Sequence, residues 1–145
     1  MYTEEQYDEF AKKMEERFPL MFANKYGGFA VDTGWWPIIE NLCANIQSHI
    51  DWWNRNHEKH PVIEQVVIEQ IKEKFGGLRF YYQGGDDTIA GMVRMAESWA
   101  GATCEQCGKP GVSRAGGWVR TLCDEHEAER QARYEEQGRK DGLNL

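Results

Sequence analysis

Four residues in the last third of the chain have the types and the spacing to hold a metal ion. Cys104 and Cys107 are separated by two residues, a fifteen-residue insert follows, and Cys123 and His126 are again separated by two. Such spacing lets both side chains of a pair reach one ion from a tight turn, and two pairs complete the tetrahedral Cys3His shell that zinc takes. Gly108 follows Cys107 directly, where a knuckle turn favours a residue without a Cβ. The second pair opens the amphipathic stretch 124–130, which places Cys123 and His126 on the first turn of a helix. A knuckle, a short hairpin and a ligand-bearing helix together resemble a treble-clef finger. One structural Zn2+ per chain is expected, because four protein ligands leave no coordination position open for water.

Catalytic alternatives fail on their own motifs. Zinc nucleobase deaminases need His-x-Glu ahead of a Pro-Cys-x-x-Cys pair. No histidine here is followed by Glu two positions on, and Thr103 stands before Cys104. Nucleases of the ββα-metal type carry a catalytic histidine inside a treble clef, whereas the insert 108–122 holds no His, Asp or Glu. His57-Glu58-Lys59-His60 falls one residue short of the i, i+4 spacing that puts two histidines on one helical face, and Pro61 follows it, so it reads as a solvated loop. Gathering these histidines with Asp51, Asp86 or Asp87 around a second metal stays open. No Ser-His-Asp set or carboxylate pair follows from spacing, and no enzymatic activity is expected.

A second stretch has binding chemistry. Lys74-Phe75-Gly76-Gly77-Leu78-Arg79-Phe80-Tyr81-Tyr82 combines two cations, a line of rings and backbone that can approach a ligand closely. Arg79 and Lys74 suit a phosphate, Gly76 and Gly77 the close approach, and Tyr81 with Trp35 or Trp36 a stacked base. The same residues equally describe a plain hairpin, with Leu78, Phe80 and Tyr82 facing a core and Arg79 and Tyr81 facing water. Trp118 reads as a lid over the zinc knuckle.

Around these stretches the chain supplies a scaffold. Its 145 residues suit one compact unit plus a zinc module. The net charge of −7 argues against tight non-specific binding to nucleic acid or anionic membranes. Four cysteines, three of them in metal spacing, suit a reducing compartment. The acidic start Thr3-Glu4-Glu5 is unlike a secretory signal, and no apolar run nears the ~18–20 residues of a membrane span, so a soluble cytoplasmic protein is expected. Six Trp exceed what a small core needs, which leaves some rings half-exposed for a planar ligand or a partner.

Thr3 and Gln6 form a capping box, and Tyr7, Phe10, Ala11, Met14 and Phe18 follow at helical spacing until Pro19. Residues 24–34 read as a glycine-bearing loop around Gly27 and Gly28, with a short strand at Phe29-Ala30-Val31. A second helix starts at Trp35-Trp36-Pro37 and carries the apolar stripe Ile38, Ile39, Leu42, Cys43, Ile46, Ile50 and Trp53. Cys43 lies in that stripe and reads as a small core residue. Residues 66–73 and 78–83 alternate about Gly76-Gly77 as a β-hairpin, although 62–75 also fits a helical period. Gly84-Gly85-Asp86-Asp87 makes a turn and a helix cap, a third helix leads into the zinc module, and a fourth runs to Gly138 as its stop.

The set Gly34-Trp35-Trp36-Pro37-Ile38-Ile39, 70–81 from Gln70 to Tyr81, Cys104-x-x-Cys107-Gly108-Lys109-Pro110-Gly111 and Gly117-Trp118-x-x-Thr121-Leu122-Cys123-Asp124-x-His126 covers about two thirds of the chain. In these motifs the chain resembles a widespread family of small phage and bacterial proteins. The resemblance implies no catalytic residues. Small acidic phage proteins with aromatic pockets include some that sequester nucleotide immune signals, an analogy of class.

The expected architecture is α+β: helices on a small antiparallel hairpin over 1–101, a Cys3His zinc module over 102–140, and a frayed tail over 141–145. The expected function is non-catalytic sequestration of a nucleotide-derived signalling molecule, as an anti-defence protein in the cytoplasm of a bacterial host, with a site completed in a homo-oligomer. The alternatives are a protein–protein interaction module that inhibits a host factor and a zinc-finger nucleic-acid binder.

Overall fold

The computed structural model describes residues 2–24 and 29–143. Helix α1 spans Glu4–Arg17, β1 Phe29–Ala30, and a 3-10 turn at Thr33–Trp35 leads into α2, Trp36–Asn56. Strands β2, Val67–Lys74, and β3, Gly77–Gln83, are followed by α3, Asp87–Ala100. The chain ends in β4, Val112–Arg114, β5, Arg120–Leu122, and α4, Asp124–Leu143.

Local signals place the helix starts. The Thr3 hydroxyl accepts from the Gln6 amide while the Gln6 side chain accepts from the Thr3 amide, so two otherwise orphaned donors are satisfied reciprocally. Asp86 caps α3 by accepting from Ile89 N. Helix α2 begins one residue after Trp35, with Pro37 in its first turn, where a missing N–H costs no helical bond.

The sheet has the order β1-β2-β3 and is mixed. Strand β1 runs parallel to β2, with Phe29 beside Ile71, and β3 runs antiparallel to β2. Residues 67–74 are therefore a strand and not a helix: alternation puts Ile71, Leu78 and Phe80 on one buried face, and a bulge between Ile68 and Gln70 brings Ile68 onto it too. Across from them lie the stripe of α2 (Ile39, Leu42, Cys43, Ile46, Ile50) and that of α3 (Ile89, Val93, Ala96, Ala100), joined by Phe10 and Met14 of α1. Burial pushes the Cys43 thiol far above its ordinary range, which makes it an inert part of this core. Among the described residues no helix is long and apolar enough to cross a membrane.

Two expectations need correction. The hairpin turn is Phe75-Gly76 rather than Gly76-Gly77, since Lys74 pairs with Gly77. Positive φ at both turn residues, 53° and 76°, gives the twist that matches paired strands. Helix α4 also passes through Gly138 and continues to Leu143, supported by Glu136–Lys140 at 2.8 Å and Gln137–Asp141 at 2.8 Å. Gly27, Gly28 and positions 144–145 lie outside the described residues.

Candidate functional site

The four predicted ligands converge. Sulfur and nitrogen donors of Cys104, Cys107, Cys123 and His126 all lie within 4.8 Å of one another, close enough to bind one metal ion. Cys107 Sγ is 3.8 Å from Cys123 Sγ, and His126 Nδ1 is 3.2 Å from Cys123 Sγ and 3.5 Å from Cys104 Sγ. A tetrahedron with Zn–S near 2.3 Å has edges of about 3.8 Å, so the donor set fits that ion. Burial disfavours the Cys104 thiolate, but the backbone amides of Cys123, Cys107 and Gln106 outweigh it and hold the thiol below its ordinary value. His126 turns its other ring nitrogen towards Glu129, 3.9 Å away, where a carboxylate orients a ligating imidazole.

This module is fastened to the α+β layer at two points. At the first, Gly34 N donates to Glu105 O at 2.8 Å, the Trp35 indole to Thr103 O at 2.9 Å, and the Thr33 hydroxyl to Gln106 O at 2.8 Å. A Cβ at Gly34 would lie 2.1 Å from Cys104 O, so only glycine admits the knuckle. At the second, the Thr121 hydroxyl donates to Gly76 O at 2.6 Å. Arg120 Nε donates to the Glu105 carboxylate. Burial raises the Glu105 pKa, and Arg120 opposes the shift.

These contacts relocate four of the seven predicted ligand-binding residues. Trp35 has 0 % exposure and holds the knuckle, so no base can stack on it. Trp36 packs its ring on Phe10 with centroids 4.5 Å apart and is spent in the core edge. Gly76 is buried against residues 119–120 of the Cys/His module, its amide donating to Glu73 Oε1 at 2.6 Å. The space over Gly77 is filled by the Arg79 guanidinium, which would stand 2.9 Å from a Cβ there and donates to Leu78 O.

The other three, Lys74, Arg79 and Tyr81, share the face of the hairpin that points away from the core. Sequence reasoning missed two companions. Lys72 pairs directly with Arg79, and Phe75 sits at the tip with 77 % of its surface exposed. Lys72 Nζ lies 5.8 Å from the Tyr81 ring centroid and Lys74 Nζ 5.9 Å from that of Phe75. None of the three cations is ion-paired among the described residues. The alternation that assigned Arg79 to this face would have assigned Lys72 too, had the turn been placed one residue earlier.

Two concavities offer less: of the three arginines on the first, only Arg133 makes no ion pair among the described residues, and the second carries no charge. A cleft of about 440 Å3 runs between the 3-10 turn and α4, but its Arg120 serves Glu105. Its Arg130, only 3 % exposed, donates to the carbonyls of Trp118 and Ala115. Arg130 Nε also lies 3.0 Å from Glu127 Oε2 as a charge contact off the hydrogen-bond axis. Trp118 is exposed on the wall of this cleft rather than lying over the knuckle as a lid. An apolar groove of about 630 Å3 between α2 and α3 is lined by no charged residue.

His57 stacks on Trp53 at 3.9 Å, and Asp86 serves His49 Nε2 at 2.9 Å, so the loop histidines and this acid are engaged separately. Comparison with known families, curated proteins and solved structures finds no match to the chain.

Proposed function

We propose that this is a non-catalytic binding protein, braced by one structural zinc ion, whose ligand is a nucleotide-class molecule held on the outward face of the β2–β3 hairpin. The observation that carries the reading is the open row of Lys72, Lys74 and Arg79, unpaired among the described residues and interleaved with Tyr81 and Phe75. In a chain of net charge −7, a local cluster of uncompensated cations is where an anion binds. Arg79 presents a planar fork to phosphate, the lysines act as point charges, and the rings offer faces to bases.

The zinc module belongs to this reading as a brace. The knuckle carries Cys104 and Cys107, the β4–β5 hairpin follows, and Cys123 and His126 stand at the start of α4, the order of a treble-clef finger, and four protein ligands close the shell. Its Thr121 hydroxyl holds Gly76 O, so the module steadies the tip of the binding hairpin. By analogy with small phage proteins that sequester nucleotide immune signals, the ligand would be held and not turned over.

Thermal-shift titration with linear and cyclic nucleotides tests the reading. Stabilisation of the zinc-loaded protein by at least one of them is expected, and no stabilisation by any would overturn it.

A further inference from the structure

We infer that the hairpin face is built for two nucleotides at once, so that its ligand is a short single-stranded oligonucleotide rather than a mononucleotide. The inference rests on the reading above and adds the number and order of the subsites.

The face contains two copies of one unit, a ring with its own lysine. Tyr81 with Lys72 is one, and Phe75 with Lys74 is the other. Arg79 stands between them, directly opposite Lys72 and two pairs from the Lys74–Gly77 pair next to the turn. From Tyr81 to Gly77 the strand extends about 13 Å, and Phe75 lies beyond it across the turn. One base cannot cover both rings. A ligand that uses both must bring two bases with a phosphate linkage between them, and Arg79 lies where that linkage would pass.

Two local costs on this face have no return within the fold. Phe75 is the only non-glycine residue with positive φ among the described residues, at 53°. Asn, Asp or Gly fills that turn position with little strain, whereas an aromatic residue is disfavoured there. Its ring is nonetheless left mostly in water, where it contributes nothing to the core. Lys72 and Arg79, directly opposite across the strands, repel one another. Rule-breaking choices that the fold does not need concentrate where a ligand is held. Both lie on the face that carries Lys72, Lys74 and Arg79. The strong negative charge of the whole chain disfavours long duplexes, while three local cations serve a short strand.

The test compares thymidine 5′-monophosphate, the thymidine dinucleotide and an oligothymidylate of six residues by calorimetric titration of the zinc-loaded protein. The dinucleotide and the longer strand should bind roughly ten-fold or more tightly than the monophosphate, the return on a second base stack. With three phosphate-binding cations the strand affinity should fall with salt at a log–log slope of about −2. Phe75→Asn should raise the melting temperature, because Asn accepts positive φ, yet cost the strand about ten-fold in affinity while leaving the monophosphate within about two-fold. Equal affinities for monophosphate and strand would overturn the two-subsite inference and leave the binding face standing, as would a Phe75→Asn protein that binds the strand unchanged. Failure of all three probes would overturn the binding face itself.

Discussion

Replacing Gly34 by Ala puts the seam between the two parts of the protein to a quantitative test. The added Cβ would stand 2.1 Å from Cys104 O, 2.5 Å from Glu105 C and 2.6 Å from Glu105 O, all of them backbone atoms that no rotamer change can move. Ordinary contact begins near 3.4 Å, so the knuckle must retreat by roughly 1 Å. That retreat stretches Gly34 N to Glu105 O, the Trp35 indole to Thr103 O and the Thr33 hydroxyl to Gln106 O. Overpacking costs ~1–3 kcal/mol and each of the three lost hydrogen bonds ~1 kcal/mol, which totals about 4–6 kcal/mol. Against a stability of ~5–15 kcal/mol this should lower the melting temperature by roughly 10–20 °C at this chain length. The assay is a circular-dichroism melt paired with the rate of zinc transfer to a chelator, which should rise in the variant. A Gly34→Ala protein that melts within about 2 °C of the parent and releases zinc at the same rate would refute the packing of the knuckle on this residue.

Three further outcomes follow from other sites. Asp86 has a depressed pKa: burial works against its carboxylate, but the His49 and Ile89 N hydrogen bonds outweigh it. Its contribution to stability is therefore present above the ordinary carboxylate range and is lost as pH falls through the lowered folded value. Asp86→Asn should flatten that acid limb in melts taken between about pH 5 and pH 2; an unchanged pH profile would contradict it. Gly138→Ala adds a Cβ that meets nothing within 4 Å inside α4 and should stabilise by about 0.5–1 kcal/mol in denaturant melts. Destabilisation would argue against a continuous helix there. Cys107→Ser, or chelation of the parent, should lower stability and solubility first and ligand affinity only through the fold; lost affinity with an unchanged melt would contradict the brace.

What was legible in the sequence was local. The Cys104–Cys107 and Cys123–His126 pairs, the Thr3–Gln6 box and the Asp86 cap each work over about one turn of chain, so spacing alone reveals them. The α+β class and the buried stripe of α2 follow from periodicity. Hidden were the contacts between distant residues. Nothing near Trp35 announces that its indole ends on Thr103, 68 positions away, so a buried fastener read as a stacking platform. The turn was misplaced by one residue because Gly76-Gly77 fits a turn better than Phe75-Gly76, and that strained ring in place of a glycine is the feature on which the proposed second subsite rests. Gly138 looked like a stop because helix propensity is weak beside the side-chain pairs that carry α4 past it.

Calorimetric titration of oligothymidylate into zinc-loaded parent and Arg79→Ala proteins tests the central claim most directly, with zinc content and melting temperature measured on the same samples. Arg79 makes no ion pair among the described residues, so its removal should leave fold and metal intact. Loss of a charge-assisted contact of ~1.5–3 kcal/mol should weaken binding about 10–100-fold. Equal affinity in the two proteins, or no binding by the parent, would contradict the assignment of the hairpin face.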